Sequence, residues 1–232
     1  MKLNTEFMIE AFKASLSGIP VTLGITVVSL MVSMPLALMM AIKKINSKGP
    51  LSFLINTYVS IVRSTPMVLQ ILLLYSLLPS FLNFFIKQVL RIDFNIFKIP
   101  AIYYAYAVFS LNTTAILSEV FRSALLTVDK GQLEAGLSVG LGKFLTYIRI
   151  IIPQALVVAL PNICNVTVGL LKSSSLAFFM TVQDITAIAK LKAAYAYNYI
   201  EAYSIIFILY IILCTMVQLI FKYIEVQIHK RR

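Results

Sequence analysis

Charged residues are spaced so unevenly along the chain that the gaps between them define its elements. Five stretches carry no charge at all: residues 14–42 (29 residues), 64–86 (23), 99–118 (20), 150–171 (22) and 202–221 (20). A helix needs about 20 apolar residues to cross a bilayer. Spanning helices are therefore predicted near 19–42, 64–86, 100–121, 151–171 and 202–222. None of the runs alternates strictly between apolar and polar positions, which argues against a β-barrel. A sixth run, 49–62, has only 14 residues and contains Pro50, Ser52 and Asn56. It reads as an interfacial or re-entrant helix. At the start of the chain Leu3, Phe7, Ala11 and Phe12 share one helical face. Lys2, Glu6, Glu10 and Lys13 are of mixed sign and lead into no short apolar core, so this is no cleaved signal. It predicts an amphipathic helix lying on the membrane before the first span.

Composition supports this reading. Of 232 residues, 60% are hydrophobic and 12% charged. Soluble domains average roughly half apolar and about a quarter charged, so a water-soluble globule is excluded. Two cysteines, Cys164 and Cys214, make no disulfide scaffold. The net charge of +11 would fit a nucleic-acid binder, but its placement does not. With the C-terminus inside, 12 of the 20 basic residues fall on the cytoplasmic side. Among them Lys43, Lys44, Lys48 and Arg63 stand in one segment without an acid, and His229-Lys-Arg-Arg closes the chain. Basic residues favour the cytoplasmic side, so the N-terminus is placed outside. The charge is then mostly a topology signal, and no continuous basic face remains for nucleic acid.

One connection is built differently from the others. Residues 125–150 hold Asp129 and Gln132, spaced for a reciprocal helix cap. Leu133, Leu137 and Leu141 recur every four residues, and Gly140 and Gly142 then interrupt the stripe. Glycine permits a left-handed turn or a close backbone approach. Helix resumes from Lys143, and Pro153 falls early in the fourth span, where a missing N–H costs little. The segment predicts a rigid hairpin of helix, glycine turn and helix on the cytoplasmic side.

Glu134-Ala135-Gly136, three residues, Gly140, nine residues, Ile150, one residue, Ile152-Pro153 resembles the coupling-loop signature of ABC importer permeases. That signature reads Glu-Ala-Ala, three residues, Gly, nine residues, Ile, any residue, Leu-Pro. Gly136 and Ile152 depart from it mildly, and the spacing is intact. Tyr58-Val-Ser-Ile-Val-Arg63-Ser-Thr-Pro66, Ser118-Glu119-Val-Phe-Arg122 and Leu171-Lys172-Ser173-Ser174-Ser175-Leu176 are similar to further elements of the polar amino acid branch, the histidine, glutamine, arginine and cystine type. The resemblance covers roughly residues 18–225. It implies an all-α integral membrane permease of the type I fold, a single domain over 1–232, in a multi-pass arrangement in a bacterial plasma membrane. It implies two ATP-binding-cassette subunits, a second copy or homologous permease, an extracellular substrate-binding protein and a polar amino acid as cargo, all set in membrane lipid.

The chain itself offers no phosphate-cradling loop of Gly, four residues, Gly-Lys-Ser/Thr. Its nearest approach, Gly140-Leu-Gly142-Lys143-Phe144, has Leu137 where the first glycine belongs and Phe144 where a hydroxyl must ligate Mg²⁺. It is expected to be no enzyme and to carry no cofactor or metal. ATP and Mg²⁺ belong to the implied partner ATPase. Glu134, Ala135, Gly136, Gly140 and Pro153 are the coupling residues this reading nominates.

For the solute path the polar residues within or beside the spans are nominated: Gln70, Asn112, Thr113, Glu119, Arg122, Lys172, Ser173 and Ser174. Glu119 and Arg122 are three apart and share a helix face, so an end-of-helix ion pair competes with a path-lining role. Gln70 could equally serve a helix–helix hydrogen bond. The serine-rich break after the fourth span could line a cavity or be plain loop. Two other classes place different demands on the chain. Half of an ion-coupled secondary transporter would need titratable groups at midplane. A membrane enzyme would need clustered His, Asp or Glu, which one histidine and nine acids spread over the loops do not supply.

Overall fold

The structure is a computed structural model, and it describes residues 4–89, 91 and 95–230. Leu3, Lys2, Arg231 and Arg232 lie outside the described residues. Ten α-helices run through these segments: α1 (Thr5–Leu16), α2 (Ile19–Asn46), α3 (Pro50–Ser64), α4 (Met67–Phe84), α5 (Ala101–Leu126), α6 (Gly131–Ser138), α7 (Lys143–Thr146), α8 (Ile152–Ser173), α9 (Ile185–Ala196) and α10 (Tyr199–Lys230). Short π and 3₁₀ turns link several of them, and no strand occurs among the described residues.

Among the described residues, four helical stretches are long and apolar enough to cross a membrane: Thr5–Asn46, Met67–Val89, Lys143–Met180 and Tyr199–Ile228. The expected run 99–118 forms α5, which is 26 residues long. It falls outside that group because its middle holds Asn112, Thr113, Thr114 and Ser118, all buried. Helix α5 is the centre of the bundle. Along it lies α2, in the most extensive helix–helix contact of the molecule. Ile25, Ser29, Ser33, Ala37 and Ala41 of α2 are all fully buried and recur every four residues. Small residues in such a row let two helices approach closely. Ser33 Oγ crosses the seam to the carbonyl of Ser110 at 2.8 Å.

The amphipathic start and the short sixth run are both helices, and each also packs against neighbouring helices. Helix α1 packs its Phe7, Met8, Ala11 and Phe12 face onto α9 and α10. Asn4 N–H donates to Glu201 Oε1 at 3.1 Å, and Lys192 pairs with Glu10, tying α1 down at its start and its middle. A side chain at Gly18 would place its Cβ 2.5 Å from the backbone nitrogen of Ile185, so only glycine lets the α1–α2 corner sit against the start of α9.

Helix α3 follows α2 after a three-residue link and packs along α2 and α5. The Tyr58 hydroxyl donates to the carbonyl of Leu111, near the middle of α5. Pro66 forces Thr65 into extended backbone (ψ 141°). The chain breaks there and continues as α4, whose Tyr75 meets Tyr104 of α5 edge-on at 6.3 Å. Together α3 and α4 therefore pack along the first half of α5, with the break near its middle.

Helices α7 and α8 form one continuous rod through a π turn at Tyr147–Ile151. Pro153 removes one helix hydrogen bond just beyond it. A π turn at such a point absorbs the mismatch without ending the helix.

Candidate functional site

Two places gather the nominated residues. The first is the hairpin of α6 and α7. The reciprocal cap expected of Asp129 and Gln132 does not form. Helix α6 starts with Lys130 as its cap residue, which leaves Asp129 one position too early and Gln132 too near the helix start. Asp129 Oδ1 instead accepts from Gly131 N–H at 2.6 Å, and Gln132 Oε1 accepts from Gln154 Nε2 at 3.4 Å.

The two glycines of the signature have separate duties. Gly136 is buried where α6 crosses α7. A Cβ there would lie 2.5 Å from Thr146 Cγ2, and Thr146 is itself fully buried. Gly140 has φ +81°, the left-handed region. Its N–H bonds to Leu137 O at 3.0 Å, while Leu141 N–H bonds to Gly136 O at 3.0 Å. This is a complete Schellman closure of α6. The internal packing leaves an outward apolar face. Val139 and Phe144 are each 76% exposed and Leu137 is 47% exposed. Glu134 and Ala135 are exposed beside them. The hairpin is held to the end of α2 by Asn46 Nδ2 and the Tyr147 hydroxyl at 3.1 Å.

The second place is a cavity of about 530 Å³ facing the middle of α5, within the range of small-molecule sites. Arg63 and Thr65 reach it from the α3–α4 break, Asn112 and Thr113 from α5, Asn165 and Ser173 from α8. Of the nominated residues, Asn112, Thr113 and Ser173 line it. Gln70 stands behind and accepts from Asn112 Nδ2 at 2.8 Å. Three neighbours in sequence diverge because each helical step turns the side chain by about 100°. Lys172 faces a different groove with Tyr210 and Cys214. Ser174 is fully buried and donates to Leu171 O at 2.7 Å.

Glu119 and Arg122 are absent from the cavity wall. Glu119 accepts from Arg122 Nε at 2.9 Å and pairs with Lys44 of α2. It is the shared anion of a three-charge node that fastens α2 to α5. Sequence reasoning saw the Arg122 half of this node and missed Lys44, which is 75 residues away. It also missed Arg63, Thr65 and Asn165 as cavity residues. The signal for Arg63 was present in the Arg63-Ser-Thr-Pro66 break, and for Asn165 in a polar side chain inside an apolar run. Arg63 is exposed to the cavity and forms no ion pair among the described residues.

The bundle thus combines an apolar cavity edged by a few polar side chains with a rigid hairpin at one end, an arrangement suited to a membrane component. Residues 33–230 match the family described as binding-protein-dependent transport system inner membrane component, and the chain belongs to that family. It is 36% identical to the probable amino-acid permease protein YxeN of Bacillus subtilis (strain 168), over 91% of this chain and 89% of that one. It is 31% identical to the L-cystine transport system permease protein TcyL of the same organism, over 97% and 92%. A solved structure described as an amino acid ABC transporter with histidines matches with TM-score 0.79 and 26% identity, covering 98% of this chain and 100% of that chain. The MetNI methionine ABC transporter shares the fold, with TM-score 0.68 at 14% identity.

Proposed function

We propose that this chain is the membrane subunit of an ATP-driven importer of polar amino acids in a bacterial plasma membrane. Its partners are two ATP-binding-cassette subunits, which hold ATP and Mg²⁺, a second permease and an extracellular substrate-binding protein. Five crossings serve this role: α2, α4, α5, α8 and α10. The second is carried by the apolar stretch Met67–Val89, in the run expected at 64–86, and α3 leads into it from the end of α2. Lys43, Lys44 and Lys48 stand at the hairpin end, so that end is cytoplasmic and the N-terminus is outside.

The observation that carries the proposal is the hairpin. Its glycines bury one face and leave Leu137, Val139 and Phe144 uncovered, an apolar knob braced against both α2 and α8. Such a knob transmits a rigid-body push, and Glu134 beside it is free to meet a basic partner residue. The cavity supplies the solute path. The ion-coupled alternative loses ground because Glu119 is taken up by two cations.

The test is a cysteine at Leu137 in the assembled complex. Cross-linking to the ATPase is expected, and its yield should change with bound nucleotide. Labelling only by a membrane-impermeant reagent from outside the cell would overturn the orientation and the coupling role together.

A further inference from the structure

Gln70 and Asn112 form a relay with a fixed direction. Gln70 Nε2 donates to the carbonyls of Val62 and Thr65 at 2.8 and 3.0 Å and to Thr65 Oγ1 at 2.8 Å. An amide nitrogen has two hydrogens, so three acceptors exhaust it. That commitment decides which end of the Gln70 amide is the nitrogen. The Gln70 oxygen is then the group left for Asn112, and it takes the Asn112 Nδ2 hydrogen at 2.8 Å. Asn112 is thereby held by its nitrogen. Its oxygen forms no hydrogen bond with a described residue, and the residue lines the cavity.

The cavity thus offers one fixed acceptor at Asn112 and one cation at Arg63, and none of its lining residues is acidic. A guanidinium fork suits a carboxylate. An amide oxygen suits an ammonium. We infer that the cavity reads the two groups common to every α-amino acid, the α-carboxylate at Arg63 and the α-ammonium at Asn112 Oδ1, with Gln70 as the positioning residue. Side chains face the remaining wall, where Thr113, Ser173 and Asn165 offer neutral polar contacts. A cationic side chain finds no anion there and meets Arg63 as a like charge. The permease site therefore prefers neutral zwitterions to arginine and lysine. This inference rests on the cavity being the transport site.

The experiment is equilibrium binding of radiolabelled L-glutamine to the purified permease–ATPase complex without the binding protein, with unlabelled competitors. Glutamine methyl ester, N-acetylglutamine and L-arginine should each compete about tenfold or more weakly than L-glutamine, since each loses or opposes a charged contact. In Arg63→Gln the ester should compete as well as glutamine. In Gln70→Leu the Asn112 amide is free to turn, and the distinction between glutamine and N-acetylglutamine should vanish. Adding Asn112→Asp to Gln70→Leu should restore it, because a carboxylate presents oxygen in either orientation. A merely structural role for Gln70 predicts no such rescue. Unchanged discrimination in Arg63→Gln, or no rescue in the double variant, would overturn the assignment of groups. Wild-type complex that binds no glutamine, while still cross-linking through position 137, would overturn the cavity as a transport site and leave the coupling role standing.

Discussion

The hairpin and the cavity are both polar interruptions of an apolar chain, yet they are constructed in opposite ways. The hairpin spans about twenty consecutive residues and is closed by backbone. Its determinants are two glycines, one buried at a crossing and one at positive φ. The cavity draws on the α3–α4 break, α5 and α8, and it is set by side-chain hydrogen bonds. A local device tolerates change outside it and fails at single backbone positions. An assembled site tolerates backbone change and fails when one hydrogen-bond direction is lost.

The largest expected effect falls between the two regions. Glu119→Gln leaves Lys44, nearly buried, without its anion. Removing one partner of a buried pair costs about 3–5 kcal/mol, and partial exposure of Arg122 places this case at the low end. Thermal unfolding of the purified complex should drop clearly, and uptake of neutral and cationic substrates should fall in parallel. A change in substrate preference would instead put Glu119 on the path. Next is Gly136→Val. Overpacking costs about 1–3 kcal/mol, and the crossing at Thr146 cannot yield cheaply because Thr146 is enclosed. ATP hydrolysis should lose its dependence on substrate while glutamine binding to the complex survives. Gly140→Val strains the left-handed turn by about 1 kcal/mol or somewhat more. Uptake should fall with insertion unchanged, and normal uptake would show that the turn is not demanding.

The smallest effect tests neither region and serves as a control. Asp184 is fully buried and caps α9, accepting from Ala187 N–H at 2.8 Å. Burial pushes its carboxyl above the ordinary carboxylate range, against the lowering effect of its hydrogen bonds. The native state then holds the proton more tightly than the unfolded chain does. Its contribution is present at low pH and lost as pH rises through the raised value. Asp184→Asn keeps the cap and removes the charge. Melting temperature should be flatter with pH, and uptake at neutral pH unchanged.

These contrasts explain what the sequence disclosed. The hairpin was legible because glycine spacing, helix periodicity and the closing proline all act within one segment. The small-residue row Ser29, Ser33, Ala37, Ala41 was equally local, and it marks the seam of α2 against α5 although it was not read as such. The break at Thr65-Pro66 was visible, but its place in the bundle was not. Counting charge-free residues put the second crossing past the break, where the apolar stretch Met67–Val89 lies. Lys172, Ser173 and Ser174 could not be sorted by composition, because three adjacent side chains on one helix face three directions. Lys44 was hidden by distance along the chain: nothing near residue 44 announces an acid at residue 119.

That separation gives the ion node a role in time as well as in space. Lys44 emerges from the ribosome 75 residues before Glu119. At about 5–20 residues per second, α2 waits some seconds beside the membrane surface with its lysine unmatched. During that interval the seam of serines and alanines has no α5 to receive it. Arrival of Glu119 supplies the missing anion and the missing helix together. The same carboxylate then meets Arg122 one turn away, so α5 carries a counter-charge of its own while it finds α2. The order of synthesis thus leaves the α2 seam and its lysine without partners until α5 arrives, and a single carboxylate of α5 then serves both helices.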